Sequence, residues 1–169
     1  ALPSTVAIRS PGERRAPAFA PTTFGTPAFY REFNSLRVAT PHALGSGNAL
    51  RIYGGESPYS NQNQSMFVRR QTDFAFEATT RVTLPFDRYQ QFAALVYRYD
   101  EDHQYLLRFA HDERVGKKVL SIMKVSSGEY SAPLEGREIP VEGDSVWLRV
   151  TVNGPRAKFS WSADGNAFR

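Results

Sequence analysis

From residue 35 onward, apolar and polar residues alternate with a period of two. Phe74, Phe76, Ala78, Thr80, Val82 and Leu84 fall on one side of an extended segment, and Ala75, Glu77, Thr79, Arg81 and Thr83 on the other. Successive side chains of extended backbone point to opposite faces, so the segment is a strand with one wet face. Between Gln91 and Tyr99, Phe92, Ala94 and Val96 oppose Ala93, Leu95, Tyr97 and Tyr99. Both faces are apolar there, which predicts a central strand covered on its outer side as well.

A third strand follows the turn Asp100-Glu101-Asp102, with Tyr105, Leu107 and Phe109 opposed to Leu106, Arg108 and Ala110. The same alternation predicts strands over 118–125, 146–153 and 156–162, the last with Ala157, Phe159 and Trp161 on one side. Shorter candidates lie at 36–38, 49–53 and 66–70. Asn153-Gly154-Pro155 and Asp164-Gly165 supply turn chemistry. No segment carries a sustained 3.6-residue stripe. About nine short strands without a crossover helix predict an all-β fold, an antiparallel two-sheet sandwich.

The first thirty residues differ, because they hold Pro3, Pro11, Pro17, Pro21 and Pro27 and a charged knot at Glu13, Arg14 and Arg15. Proline removes backbone donors and fixes φ, so residues 1–32 read as an extended arm or interdomain linker ahead of a domain over 33–169. An ordered coil docked through Phe24, Phe29, Tyr30 and Phe33 is the alternative. At the other end, Asn166-Ala167-Phe168-Arg169 follows a hairpin turn at the point where a returning strand should start. The expectation is a sandwich lacking its final strands in this chain, since Phe159 and Trp161 need a covered face; a frayed terminus after Asp164-Gly165 is the alternative.

Composition narrows the class. The 169 residues are 41% hydrophobic and 13% aromatic, enough for one core. A balance of 21 Lys+Arg against 17 Asp+Glu leaves +4, too little to make nucleic acid the expected partner. No apolar run approaches the roughly 20 residues that cross a bilayer, so no membrane partner is expected. The absence of cysteine excludes disulfides, thiolate metal sites and cysteine nucleophiles. Secreted and cytoplasmic addresses both stay open, the secreted one slightly favoured.

Several segments carry a resemblance to a known family. They are Leu50-Arg-Ile-Tyr-Gly-Gly-Glu-Ser-Pro58, Gln64-Ser-Met-Phe-Val-Arg-Arg-Gln71, Phe74-Ala-Phe-Glu-Ala-Thr-Thr-Arg-Val82 and Gln90-Gln-Phe-Ala-Ala-Leu-Val-Tyr-Arg-Tyr-Asp100. Asp112-Glu113 before Gly116 and Phe159-Ser-Trp-Ser-Ala-Asp-Gly165 complete the series. In this order, over about residues 33–169, the chain resembles the carboxy-terminal sandwich of family 43 glycoside hydrolases, the β-xylosidases and α-arabinofuranosidases. The resemblance implies a concanavalin A-like jelly roll. It also implies a partner, a catalytic five-bladed propeller in the same protein or in a separate chain, and affinity for xylan or arabinoxylan. In some members a late loop of the sandwich lends an aromatic residue to the rim of the active site.

Apart from that resemblance, the residues themselves offer little catalytic chemistry. Glycoside hydrolysis needs two carboxyl groups across a sugar-sized gap. The candidates Glu56, Asp73, Glu77, Asp100, Glu101, Asp102, Asp112 and Glu113 fall mostly in turns or on wet strand faces, where solvation accounts for them. No catalytic residue is assigned, in keeping with the resemblance, which places catalysis in the propeller. Asp100-Glu101-Asp102 and Asp112-Glu113 are one arrangement that could converge on Ca²⁺, since hard cations take several oxygen ligands. Solvated turns are the other reading, and no cofactor is otherwise expected. His42, His103 and His111 lack ligand spacing, and Gly-x-Ser-x-Gly is absent.

The amide-rich loop Tyr59 to Gln64 has the chemistry that neutral sugars recognise, because hydroxyls pair with amides and a C–H face stacks on a ring. Candidate sugar contacts are Tyr53, Tyr59, Asn61, Gln62, Tyr97 and Trp161. Candidate contacts to a neighbouring domain are Gly54, Gly55, Glu56, Ser57, Gln64 and Arg70. Arg69-Arg70 lies in a strand candidate, so one arginine points outward and the other is expected to pair with a carboxylate such as Glu56 or Glu77. Asn63-Gln64-Ser65 is an N-glycosylation sequon. The function expected is a non-catalytic accessory sandwich of a xylan-degrading glycosidase. An autonomous carbohydrate-binding module and a protein-interaction sandwich are the alternatives.

Overall fold

In a computed structural model, which describes residues 22–36, 42–45, 48–56, 65–88 and 91–169, the described residues form one short helix and twelve strands. They run α1 (Pro27–Glu32), β1 (Phe33–Leu36), β2 (His42–Gly45), β3 (Ala49–Ile52), β4 (Met66–Arg69), β5 (Ala75–Thr83), β6 (Phe92–Arg98), β7 (His103–Asp112), β8 (Lys117–Ser126), β9 (Glu129–Ser131), β10 (Ile139–Val141), β11 (Ser145–Asn153) and β12 (Arg156–Ser162). A large sheet has the order β10-β8-β7-β6, with β9 also paired to β8, and a smaller one the order β12-β11-β5. β1 pairs with β4 and β2 with β3. Every pairing is antiparallel. The all-β antiparallel architecture read from the alternation is the one observed.

The core lies between the two larger sheets. Register places Leu148 beside Thr80 and Trp161, and Val150 beside Ala78 and Phe159, so the even residues of β11 point inward. Val146, Leu148, Val150 and Val152 are buried there with Leu84, Leu107, Phe109, Leu120, Val141 and Trp161. Each such side chain contributes about 1.5–3 kcal/mol by leaving water. The opposite face of the smaller sheet is polar: Arg149 Nε donates to Thr79 Oγ1 at 3.0 Å, and the hydroxyls of Thr83 and Ser145 lie 2.8 Å apart.

Lys118 is the exception to alternation by polarity. Its register neighbours are His111 and Val141, on the inward face, and its side chain is only 5% exposed. The ammonium donates to Leu84 O at 2.6 Å and to Asp144, with Asp87 at 3.2 Å. Those three oxygens come from the connections flanking β5 and β11, so one lysine of the large sheet is bonded to the rim of the smaller one.

Several elements differ from expectation. Phe74 precedes the first paired residue of β5, is 73% exposed, and leaves Ala75 and Phe76 as the first buried positions. β9 and β10 are three residues each, too short to show a period. Residues 22–32 end in a helical turn: Thr26 Oγ1 accepts from Phe29 N at 3.2 Å, and Pro27 stands where its missing N–H costs nothing. That turn buries Phe29 against the rings of Phe24, Tyr30, Phe33 and Phe67, at centroid distances of 5.0 to 5.7 Å. Among the described residues, no helix is long and apolar enough to cross a membrane.

Candidate carbohydrate and domain-contact surface

The large sheet has a second, outward face that alternation alone makes unusual. Register aligns Phe92, Ala110, Val119 and Pro140 in one row, Ala94, Arg108 and Ser121 in the next, and Val96, Leu106 and Met123 in a third. Leu106, Ala110, Val119 and Met123 are buried although they face away from the core between the sheets. This matches the expectation that β6 carries cover on both sides.

On that apolar floor stand a few polar groups fixed by their neighbours. Arg108 Nε donates to Ser121 Oγ at 2.9 Å, and its guanidinium lies 5.8 Å from the centre of the Phe92 ring. Farther along, Arg114 donates to both oxygens of Asp112 and reaches Glu138 Oε1 at 3.1 Å. The Arg114 hydrogen bonds hold the Asp112 carboxyl down to about 2. The Arg114 guanidinium is raised by the same contacts, Asp112 first and Glu138 next. Glu138 is lowered as well, first by hydrogen bonding to its own backbone N–H. Carboxyls held this way are anions at neutral pH, suited to anchoring an arginine and unsuited to donating a proton.

A broad open hollow is lined by this face together with Tyr53, Gly54, Gly55, Glu56 and Arg70. Of the sugar-contact candidates, Tyr53 is exposed at its rim. Tyr97 also lines it but packs against Phe76, 6.0 Å between centroids, at the edge of the core. Trp161 requires a correction. It is 7% exposed within the main core, and the guanidinium of Arg169 lies 4.1 Å from its ring, so it offers no face to a sugar. Its place in the inward row of β12 is the physical reason. Tyr59, Asn61, Gln62, Ser57 and Gln64 lie outside the described residues.

Arg70 is exposed and Arg69 half-buried, as alternation requires. Arg69 meets Glu32 at 3.1 Å, whereas Glu77 pairs with Arg149 at 3.3 Å. The Ca²⁺ arrangement is also corrected. Asp100-Glu101-Asp102 and Asp112-Glu113 flank opposite ends of the ten-residue β7, about 30 Å apart at the rise of a strand, and cannot share an ion. Asp100 instead accepts from His103 Nδ1 at 2.9 Å and from Asp102 N at 2.9 Å. Missed by sequence reasoning were Arg108, Ser121 and the Asp112–Arg114–Glu138 network. Only the Arg108 position, a charge in an otherwise apolar row, signalled its part beforehand.

Residues 22–169 match the family described as the β-xylosidase C-terminal concanavalin A-like domain. The chain belongs to this family. Among relatives, it is 30% identical over 95% of its length to a putative β-xylosidase of Escherichia coli, of which it covers 32%. It is 33% identical over 77% of its length to a β-xylosidase of Bacillus subtilis, of which it covers 25%. The chain thus spans about a third or less of these relatives.

The fold agrees with solved structures of family 43 proteins. The family 43 protein BlXynB of Bacillus licheniformis superposes with TM-score 0.65 at 14% identity, over 83% of this chain and 29% of that one. A subfamily 12 member retrieved from a capybara gut metagenome gives 0.68 at 16%, over 86% and 28%. The family's sandwich is therefore present here, with the outward face and the hollow described above as its most featured surface.

Proposed function

We propose that this sandwich is the non-catalytic accessory domain of a xylan- or arabinoxylan-degrading glycosidase, and that it packs on a catalytic five-bladed propeller and shapes its active-site rim. The observation that carries this reading is the match of nearly the whole chain to part of each relative. The rest of a β-xylosidase such as the Bacillus subtilis one is then the partner. Gly54, Gly55, Glu56 and Arg70 supply exposed contacts for it, with Ser57 and Gln64 adjoining them in sequence.

The test is to mix the chain with a separately produced family 43 propeller and run the mixture on a sizing column. Co-elution at a one-to-one ratio supports the reading, and independent elution counts against it. Glu56→Lys with Arg70→Glu should weaken the complex at least tenfold.

A second reading is direct binding of xylan by the outward face of the large sheet. It is favoured by Phe92 beside Arg108 and by the exposed Tyr130 farther along the same face, in the row of Val125 and Gln104, since rings and planar donors together recognise hydroxyl-rich, uncharged chains. Retardation in a gel containing xylan, abolished in Tyr130→Ala, is the expected result. Equal mobility with and without xylan would remove this reading.

A further inference from the structure

The outward face of the smaller sheet carries a line of cations. Register sets Arg81 beside Trp147, Arg149 between Thr79 and Ser160, Lys158 beside Thr151, and Arg156 beside Asn153. Each step moves one row along the strands, and the first two also move one strand across, from β5 to β11 and then to β12. With strands about 4.8 Å apart and same-face residues about 6.8 Å apart, consecutive cations stand roughly 7–8 Å from one another. Glu77 is the one carboxylate in these rows.

The cations are presented rather than consumed. Arg81, Lys158 and Arg156 are exposed, and none of the described carboxylates pairs with them. Arg149 is half-buried and fixed: its Nε donates to Thr79 Oγ1 at 3.0 Å and meets Glu77 Oε1 at 3.3 Å, and its guanidinium lies 3.6 Å from the centre of the Phe168 ring. Both polar contacts use Nε, which leaves the terminal nitrogens to grip a carboxylate as a fork. Asp164, at the end of β12, is spent on the Ser162 hydroxyl and the N–H groups of Asn166 and Ala167.

A diagonal of cations across a flat sheet fits an extended polyanion, and the other residues of the face choose among polyanions. Thr79, Thr83, Ser145, Thr151 and Asn153 offer hydroxyls and an amide between the charges. The rings of this face are engaged, Trp147 by the Gly165 turn and Phe168 by Arg149. Single-stranded nucleic acid needs open ring platforms for its bases, and a peptide draws most of its affinity from an apolar anchor in a pocket. A chain of sugars bearing carboxylates needs neither. We infer that this face binds a polysaccharide carrying uronate groups, with Arg81, Arg149, Lys158 and Arg156 holding its carboxylates and the threonines and Ser145 meeting its hydroxyls. This assignment rests on the reading of the chain as an accessory domain of a xylan-degrading glycosidase and adds the acid-bearing class of glycan to it. It uses neither the outward face of the large sheet nor Glu56 and Arg70.

The test is electrophoresis of the folded chain through gels containing a uronate-bearing xylan, the same polymer with its carboxyls reduced to primary alcohols, or polyglutamate, each mobility being divided by that in an empty gel. The acidic xylan should retard the chain most, and added salt should weaken the retardation. Arg81→Gln with Lys158→Gln should raise the apparent Kd for acidic xylan at least tenfold, whereas Lys117→Gln with Arg137→Gln, an equal change of charge elsewhere, should not. All four positions are exposed, and thermal unfolding checks that both pairs remain folded. Equal retardation by the acidic and reduced polymers would overturn the inference and leave the neutral xylan reading standing. Polyglutamate binding as tight as that of acidic xylan would overturn it in favour of an acidic peptide. Equal losses in the two charge-matched pairs, or no retardation in any gel, would overturn it as well.

Discussion

Gly165 lies flat on the indole of Trp147, so close that a Cβ at position 165 would stand 2.9 Å from Cε2. Its φ of +83° is one that L side chains rarely adopt, so the turn after β12 needs glycine on two counts. Gly165→Ala should destabilise the domain by about 1–3 kcal/mol. Thermal unfolding measures this. In the Trp147→Ala background the steric part disappears, so the two substitutions should cost less together than the sum of their separate effects.

The same turn makes the acid dependence readable. Asp164 is held at about 2, first by the Asn166 N–H, then by the Ser162 hydroxyl and the Ala167 N–H. Asp112 is held at about 2 by Arg114. Both carboxyls bind protons more weakly in the folded chain than in the unfolded one, where the ordinary value is 3.8. Their stabilising contribution is therefore complete above that value and is lost as pH falls toward 2. NMR titration should place both carboxyls near 2, and Arg114→Met should return Asp112 toward its ordinary range while leaving Asp164 unmoved.

Lys118 connects the two sheets through Leu84 O, Asp144 and Asp87. Burial alone would lower its pKa, but hydrogen bonds to Asp144 and Asp87 outweigh this and leave it raised. Lys118→Met keeps the stem and removes the ammonium, leaving a buried carbonyl oxygen without that donor. The two aspartates are exposed and rehydrate, so the expected loss is about 1–3 kcal/mol, less than for a fully buried pair. Denaturant unfolding with an unchanged m-value would show it.

Phe29 is the anchor of the segment before the sheets. Phe29→Ala removes a fully buried ring from among four aromatic neighbours and should cost about 3–5 kcal/mol locally. Amide exchange over 27–36 and 66–69 should accelerate, while that of β7 and β11 should not.

How much of this was legible in the sequence depended on whether a residue's role is local. β5, β6, β7, β8, β11 and β12 follow from alternation, because each runs seven or more residues with a consistent inward row. Thr26-Pro27 was a readable helix start, obscured by the prolines before it. Lys118 was not readable. A lysine at a strand's end implies solvent, and only the folded chain brings Asp87 and Asp144, far apart in sequence, to its ammonium. Trp161 shows the converse: an aromatic that alternation placed with Phe159 belonged to the core for that very reason. The outward face of the large sheet was half legible, since the apolar residues of β6 announced cover on both sides while the partners of Arg108 and Arg114 came from other strands and loops.

The central claim is that this sandwich serves a catalytic propeller. Its most direct test is the activity of a family 43 propeller on an aryl β-xyloside, measured with the chain added in trans at increasing concentration. The account predicts a saturable rise in activity or in the propeller's thermal stability, diminished by Glu56→Lys with Arg70→Glu. A flat response at all concentrations, with both components folded, would contradict it.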